Sequence, residues 1–107
     1  MDFSLSDFDS ELIVEKEGKN LHISGNVFND GVRTEEVGYQ LEVERTGVSG
    51  VVSTSQSGVI EVEGGEKSKI SGTSINAAKG DTCRLKLIIR NELEEITSTS
   101  RLVITIK

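Results

Sequence analysis

The 107-residue chain has no proline and no tryptophan, and its only aromatic residues are Phe3, Phe8, Phe28 and Tyr39. A single cysteine, Cys83, excludes an intrachain disulfide, a CxxC redox pair and an all-cysteine zinc site within one chain. One thiol is compatible with either cytosol or periplasm. Histidine is equally scarce. His22 is the only candidate base for a Ser-His-Asp or Cys-His arrangement, and it falls between Leu21 and Ile23, on the strand face opposite those apolar residues. A solvated position is expected there. Neither His nor Cys recurs at metal-ligand spacing, and Asn29-Asp30-Gly31 lacks the remaining oxygen ligands of a calcium loop. No glycine cluster precedes a helix, so a phosphate cradle is missing too. No cofactor and no enzymatic activity are expected.

Long apolar runs are also lacking, which argues against membrane insertion. The N-terminal MDFSLSDFDS has neither a basic start nor an apolar centre and does not read as a secretory signal. Eighteen acidic against twelve basic side chains give a net charge of −6. That balance disfavours nonspecific attraction to phosphates, so nucleic acid is not expected as a partner.

What the chain does contain is Val, Ile and Leu in alternating patterns, the material of an aliphatic sheet core. Leu12 and Val14, then Leu21, Ile23, Val27 and Phe28, suggest a hairpin turning at Gly18-Lys19-Asn20. Apolar parity changes near Gly25, where a bulge or bend is expected. Asn29-Asp30-Gly31 reads as a turn through left-handed backbone. Val37, Tyr39, Leu41 and Val43 alternate with polar residues in the next strand. The Gly47 to Gly58 stretch, GVSGVVSTSQSG, is polar and glycine-punctuated, and offers little to a core, so an edge strand is expected before Val59, Ile60 and Val62. Ile70 and Ile75 anchor the segment after Gly64-Gly65, and Lys79-Gly80-Asp81 turns the chain again. Cys83, Leu85, Leu87 and Ile89 point one way and Arg84, Lys86, Ile88 and Arg90 the other. Ile96, Leu102, Ile104 and Ile106 share parity in a closing strand.

About seven antiparallel strands with no helical period predict an all-β, immunoglobulin-like sandwich. Residues 1–9 are assigned to an N-terminal extension or the start of the first strand, and residues 10–107 to a single sandwich domain. Arg84, Lys86 and Arg90 form a basic row that either steers an acidic protein partner or pairs with Glu42 and Glu44 across the strands.

The order of turns and strands supports a resemblance. YQLEVERTGVSGVVSTSQSG followed by VIEVEGGEKSKISGTSINAAKGDTCRLKLII resembles the small curli assembly proteins of the CsgC/CsgH type, the CsgH branch most closely. The matching positions are Arg45, Gly47, Ser49, Gly50, Ser53, Ser55, Gln56, Ser57, Gly58, Gly65, Glu66, Ser71, Asn76, Gly80 and Asp81, within about residues 37–90. The Cys-x-Cys motif of enteric CsgC members is missing, so thiol chemistry does not transfer.

The resemblance implies a periplasmic, chaperone-like inhibitor that binds curli-type (CsgA-type) amyloid subunits transiently and without catalysis, with any export signal removed. A monomer is expected. Partner contacts are assigned to Arg45, Ser53, Ser55, Gln56, Ser57, Arg84, Lys86 and Arg90. The alternative is a structural or adhesive immunoglobulin-like module of a bacterial cell-surface protein.

Overall fold

The structure, a computed structural model, describes residues 8–48 and 50–107. Phe3, most of the expected N-terminal extension and Ser49 of the glycine-punctuated stretch lie outside the described residues. Seven strands follow in order: β1 (Phe8–Glu17), β2 (Asn20–Asn29), β3 (Glu35–Thr46), β4 (Val52–Val62), β5 (Lys67–Asn76), β6 (Thr82–Arg90) and β7 (Ile96–Thr105). All pairings are antiparallel. They form a three-stranded sheet in the order β1-β2-β5 and a four-stranded sheet in the order β4-β3-β6-β7. The expected all-β sandwich is the fold observed. Strands of 9 to 12 residues are long, so at about 3.3 Å per residue the two ends of the sandwich lie roughly 30–40 Å apart.

The core is aliphatic, as the composition requires. Leu21, Ile23, Val27 and Ile70 from one sheet face Val37, Leu41, Val43, Val62, Leu85, Leu87 and Ile89 from the other, all at most 2% exposed. Gly25 brings the sheets close at the centre, because a Cβ there would lie 2.9 Å from both the Glu11 carbonyl oxygen and Leu87 Cδ2. The expected irregularity is present: the β2–β5 register shifts between Ile23 and Gly25. Val27 nevertheless stays inward, and Phe28 turns outward beneath Lys67, whose Nζ sits 5.7 Å from the ring centroid.

Two expectations need correction. The polar stretch and Val59 to Val62 are one continuous strand, β4, rather than two segments. It is an edge strand of its sheet, as expected. Ile96 does not share the inward face of β7 but is 58% exposed, because a second register shift between Ile89 and Arg90 displaces the start of that strand.

The Asn29-Asp30-Gly31 turn is built differently from the expected left-handed backbone, since none of its three residues has a positive φ. The Asn29 side chain does the work. It is 1% exposed, and its Nδ2 donates to the carbonyls of Arg33 (2.8 Å) and Val62 (3.0 Å) while its Oδ1 accepts from the Gly31 N–H (2.9 Å). Its backbone N–H donates to the Glu66 carbonyl (3.0 Å), and its carbonyl accepts from the Gly65 N–H (2.8 Å). One residue thus ties the β2–β3 turn to β4 and the β4–β5 turn, across the two sheets.

Replacing Asn29 by Ala strands buried carbonyls and is expected to lower stability by about 2–4 kcal/mol in denaturant titration. Val32→Ala, at a neighbouring position 97% exposed, is expected to stay within about 0.5 kcal/mol. Equal effects of the two substitutions would refute the hub role of Asn29.

Candidate functional site

The register sorts the candidate contact residues into two groups. In the four-stranded sheet, Ser53, Glu44 and Arg84 share one cross-strand row with Val103, while Ser55, Glu42 and Lys86 share the next with Arg101. Ser57, Gln40, Ile88 and Thr99 form a third row, and Val59, Gly38 and Arg90 lie beyond it. Ser53, Ser55, Ser57, Arg84, Lys86 and Arg90 therefore occupy the outer face of one sheet. A shallow groove crosses that face, lined by Glu42, Glu44, Ser53, Ser55, Arg84, Lys86, Arg101 and Val103.

The charges on this face are arranged in columns. Arg84 Nη1 lies 3.8 Å from Glu44 Oε1, Arg90 Nη1 donates to Gln40 Oε1 (3.2 Å), and Gln40 Nε2 donates to Glu42 Oε1 (2.9 Å). The cross-strand pairing expected for the basic row is thus present for Arg84. Its energetic weight is small, since both partners are about half exposed. Lys86 differs, because Glu42 stands opposite it on β3 while the like-charged Arg101 stands opposite it on β7. Like charges directly opposite disfavour the pairing, so an anionic group placed beside them relieves repulsion. Arg101 was not among the sequence candidates. Its alternation with Leu102 in β7 was the available signal.

Arg45 and Gln56 belong to the other group. The Arg45 side chain is 11% exposed; its Nη1 donates to the Asn76 carbonyl and its Nε lies 4.0 Å from Oδ2 of the fully buried Asp81. Asp81 Oδ2 also accepts from the Ala78 N–H (2.9 Å), and the Asp81 carbonyl accepts from the Ile106 N–H (2.9 Å). Gly47 is required beside this pair: its φ is 141°, and a Cβ would fall 2.6 Å from Asp81 Oδ1. Gln56 faces the sheet interface, where its Nε2 donates to the Ser71 carbonyl of β5 (3.0 Å). Much of the motif that carries the family resemblance therefore holds the sandwich together.

Gln56 is one of several latches over the strand edges. Ser68 Oγ donates to the Glu61 carbonyl (3.0 Å), a second link between β5 and β4. On the opposite side, Ser10 Oγ lies 2.7 Å from the hydroxyls of both Ser98 and Ser100, and Ser100 Oγ donates to the Ser10 carbonyl (3.0 Å). Each edge strand of one sheet is thereby linked to an edge strand of the other.

His22 sits on the outer face of the three-stranded sheet, with Nδ1 2.6 Å from Ser74 Oγ and Nε2 3.5 Å from an exposed Glu17. Its side chain is 45% exposed on an open sheet surface, the solvated position expected. Cys83 is fully buried, and its thiol is pushed above its ordinary pKa by burial first and the Asp81 charge second, with Arg45 opposing. Among the described residues no group of three His, Cys, Asp or Glu side chains is placed to hold a metal ion.

The fold has close counterparts among solved structures. It matches CsgH of R. palustris with a TM-score of 0.66 at 14% identity, over 92% of this chain and 91% of that one. The E. coli curli protein CsgC matches with a TM-score of 0.69 at 14% identity, over 91% and 97% of the two chains. Beta-glucuronidase 2 of Bacteroides uniformis matches 94% of this chain at 16% identity and a TM-score of 0.63, but only 13% of that enzyme is involved. No protein-family model matches the sequence, and no match was found among curated proteins. At these identities the likeness establishes a shared fold.

Cys83 is expected to resist thiol reagents at neutral pH and to react only when the domain unfolds, which quench-labelling across a denaturant series measures. Because its folded pKa is raised, the stability it contributes is present below the unfolded value near 9.0 and lost as pH rises above it. The stability of Cys83→Ala should accordingly fall less steeply than wild type above that pH; parallel alkaline slopes would contradict this assignment.

Proposed function

We propose that this protein is a non-catalytic binder of curli-type amyloid subunits, acting in the periplasm to delay their fibrillation. The likeness to CsgC, a curli protein, over nearly the whole of both chains supports a curli-related role. The observation that carries the binding mode is the contrast between linked edges and an open face. A partner strand adding to β4 would compete with the Gln56 and Ser68 links to β5. The outer face of β4-β3-β6-β7 needs no such opening. It presents small hydroxyls at Ser53, Ser55 and Ser57 beside the charged columns of β3 and β6. An extended polar segment laid across that groove meets hydrogen-bonding groups and both signs of charge. Transient engagement suffices, because growth from an amyloid nucleus fails whenever its exposed strand is occupied.

A second reading is a module of a larger surface protein. The beta-glucuronidase match, in which this fold makes up a small part of a long chain, is the observation that favours it.

Dye-monitored fibrillation of a curli subunit, with this protein well below equimolar, separates the two readings. The first predicts a lag extended severalfold, and an unchanged lag removes it. Within the first reading, Ser55→Glu combined with Lys86→Glu should cut the extension at least threefold with the fold intact. Gln56→Ala should mainly lower stability, by about 1 kcal/mol. The reverse pattern would move the contact to the β4 edge.

A further inference from the structure

The two ends of the sandwich carry opposite charge. The turns next to Asn29 and Asn91 hold Asp30, Glu63, Glu66, Glu92, Glu94 and Glu95 against Arg33. At the far end, Lys16, Lys19 and Lys79 are exposed beside the exposed carboxylates of Glu15 and Glu17, while Asp81 is buried against Arg45. The same end presents two apolar side chains to solvent: Val48 and Val51, in the β3–β4 connection, are 79% and 73% exposed.

These groups are neighbours. The Ala77 N–H donates to the Lys19 carbonyl (2.8 Å), which joins the β1–β2 turn to the β5–β6 connection. Val48 Cγ1 lies 3.9 Å from the position a Cβ on Gly80 would take, next to Lys79. Val48 and Val51, both largely exposed, thus share this end with the three lysines, Val48 lying against the Lys79-Gly80 turn.

We propose that this end docks on an anionic lipid surface, with Val48 and Val51 dipping into the headgroup region and Lys16, Lys19 and Lys79 meeting lipid phosphates. Charge complementarity selects an anionic surface, and the two exposed valines select one that also takes up apolar side chains, as the interface of a lipid bilayer does. The acidic turns at the other end are repelled by the same surface. Repulsion and attraction together orient the long axis away from the membrane, despite the net charge of −6. This docking is peripheral and leaves the outer face of the four-stranded sheet exposed; it goes beyond the binding role proposed above.

Flotation of the whole protein with phosphatidylglycerol-containing vesicles, compared with phosphatidylcholine alone, tests it. Binding to the anionic vesicles, weakening with salt, is the expected result. Lys79→Glu should reduce partitioning about fivefold or more, a loss set by roughly one lysine's attraction to an anionic surface. Val48→Asp with Val51→Asp should abolish it, whereas Lys67→Glu near the acidic end should not change it. Absence of binding to anionic vesicles, or equal losses at Lys67 and Lys79, overturns the proposal. Lipid-free, concentration-dependent self-association that Lys79→Glu removes also overturns it, by assigning the basic end to the acidic turns of a second copy.

Discussion

Two sheets of three and four strands leave four edges, and the rest of this structure depends on how those edges are covered. An uncovered edge invites pairing with another chain, a particular hazard for a protein whose proposed clients grow by strand addition. Proline, a common edge blocker, is absent from this sequence. Point links come instead from hydroxyls and one amide: Ser10 with Ser98 and Ser100 on one side, Gln56 and Ser68 reaching across on the other. These side chains span between sheets that share an aliphatic core, so the latches and the core register support one another. The polar character of β4 follows from the same constraint. Its inward positions supply a latch, and its outward positions supply a hydroxyl-bearing surface.

Buried polar groups fix the two ends in a similar way. Asn29 joins three segments at the acidic end, and Arg45 with Asp81 joins β3, β5, the β5–β6 connection and the residues after β7 at the basic end. Each satisfies backbone groups that an aliphatic core cannot. The surface proposed for a protein partner is the outer face of β4-β3-β6-β7, which the edge links leave open. There the cross-strand rows place serines, carboxylates and cations side by side, and the Lys86–Arg101 juxtaposition leaves positive charge that β3 does not fully offset.

Period-two alternation made the strand set and most of the core legible in the sequence, including the alternation in β6 and the irregularity at Gly25. Three features were not legible, each because it depends on a tertiary partner. Asn29 looked like a turn former, but its turn is shaped by carbonyls that only the folded chain brings near. Ile96 matched the parity of β7, yet a bulge opposite Arg90 shifts it outward, and parity counting carries no information about a partner strand's register. Gln56 and Arg45 resembled surface contacts because they are polar, whereas their inward positions turn them into a latch and an end-clamp. The outer-face serines and cations fell on the expected strands; that they share rows required the β3–β6 pairing to be known.

The central claim is that a partner meets the outer sheet face and not a strand edge. Backbone amide shift mapping of the labelled protein, titrated with a soluble, non-fibrillising curli subunit fragment, tests it most directly. Perturbations are expected at Ser53, Ser55, Lys86 and Arg101, with the amides of β1 and β5 unmoved. Shifts confined to Gln56, Ser71 and the rest of β5, with Lys86 and Arg101 silent, would contradict it and identify edge capture instead.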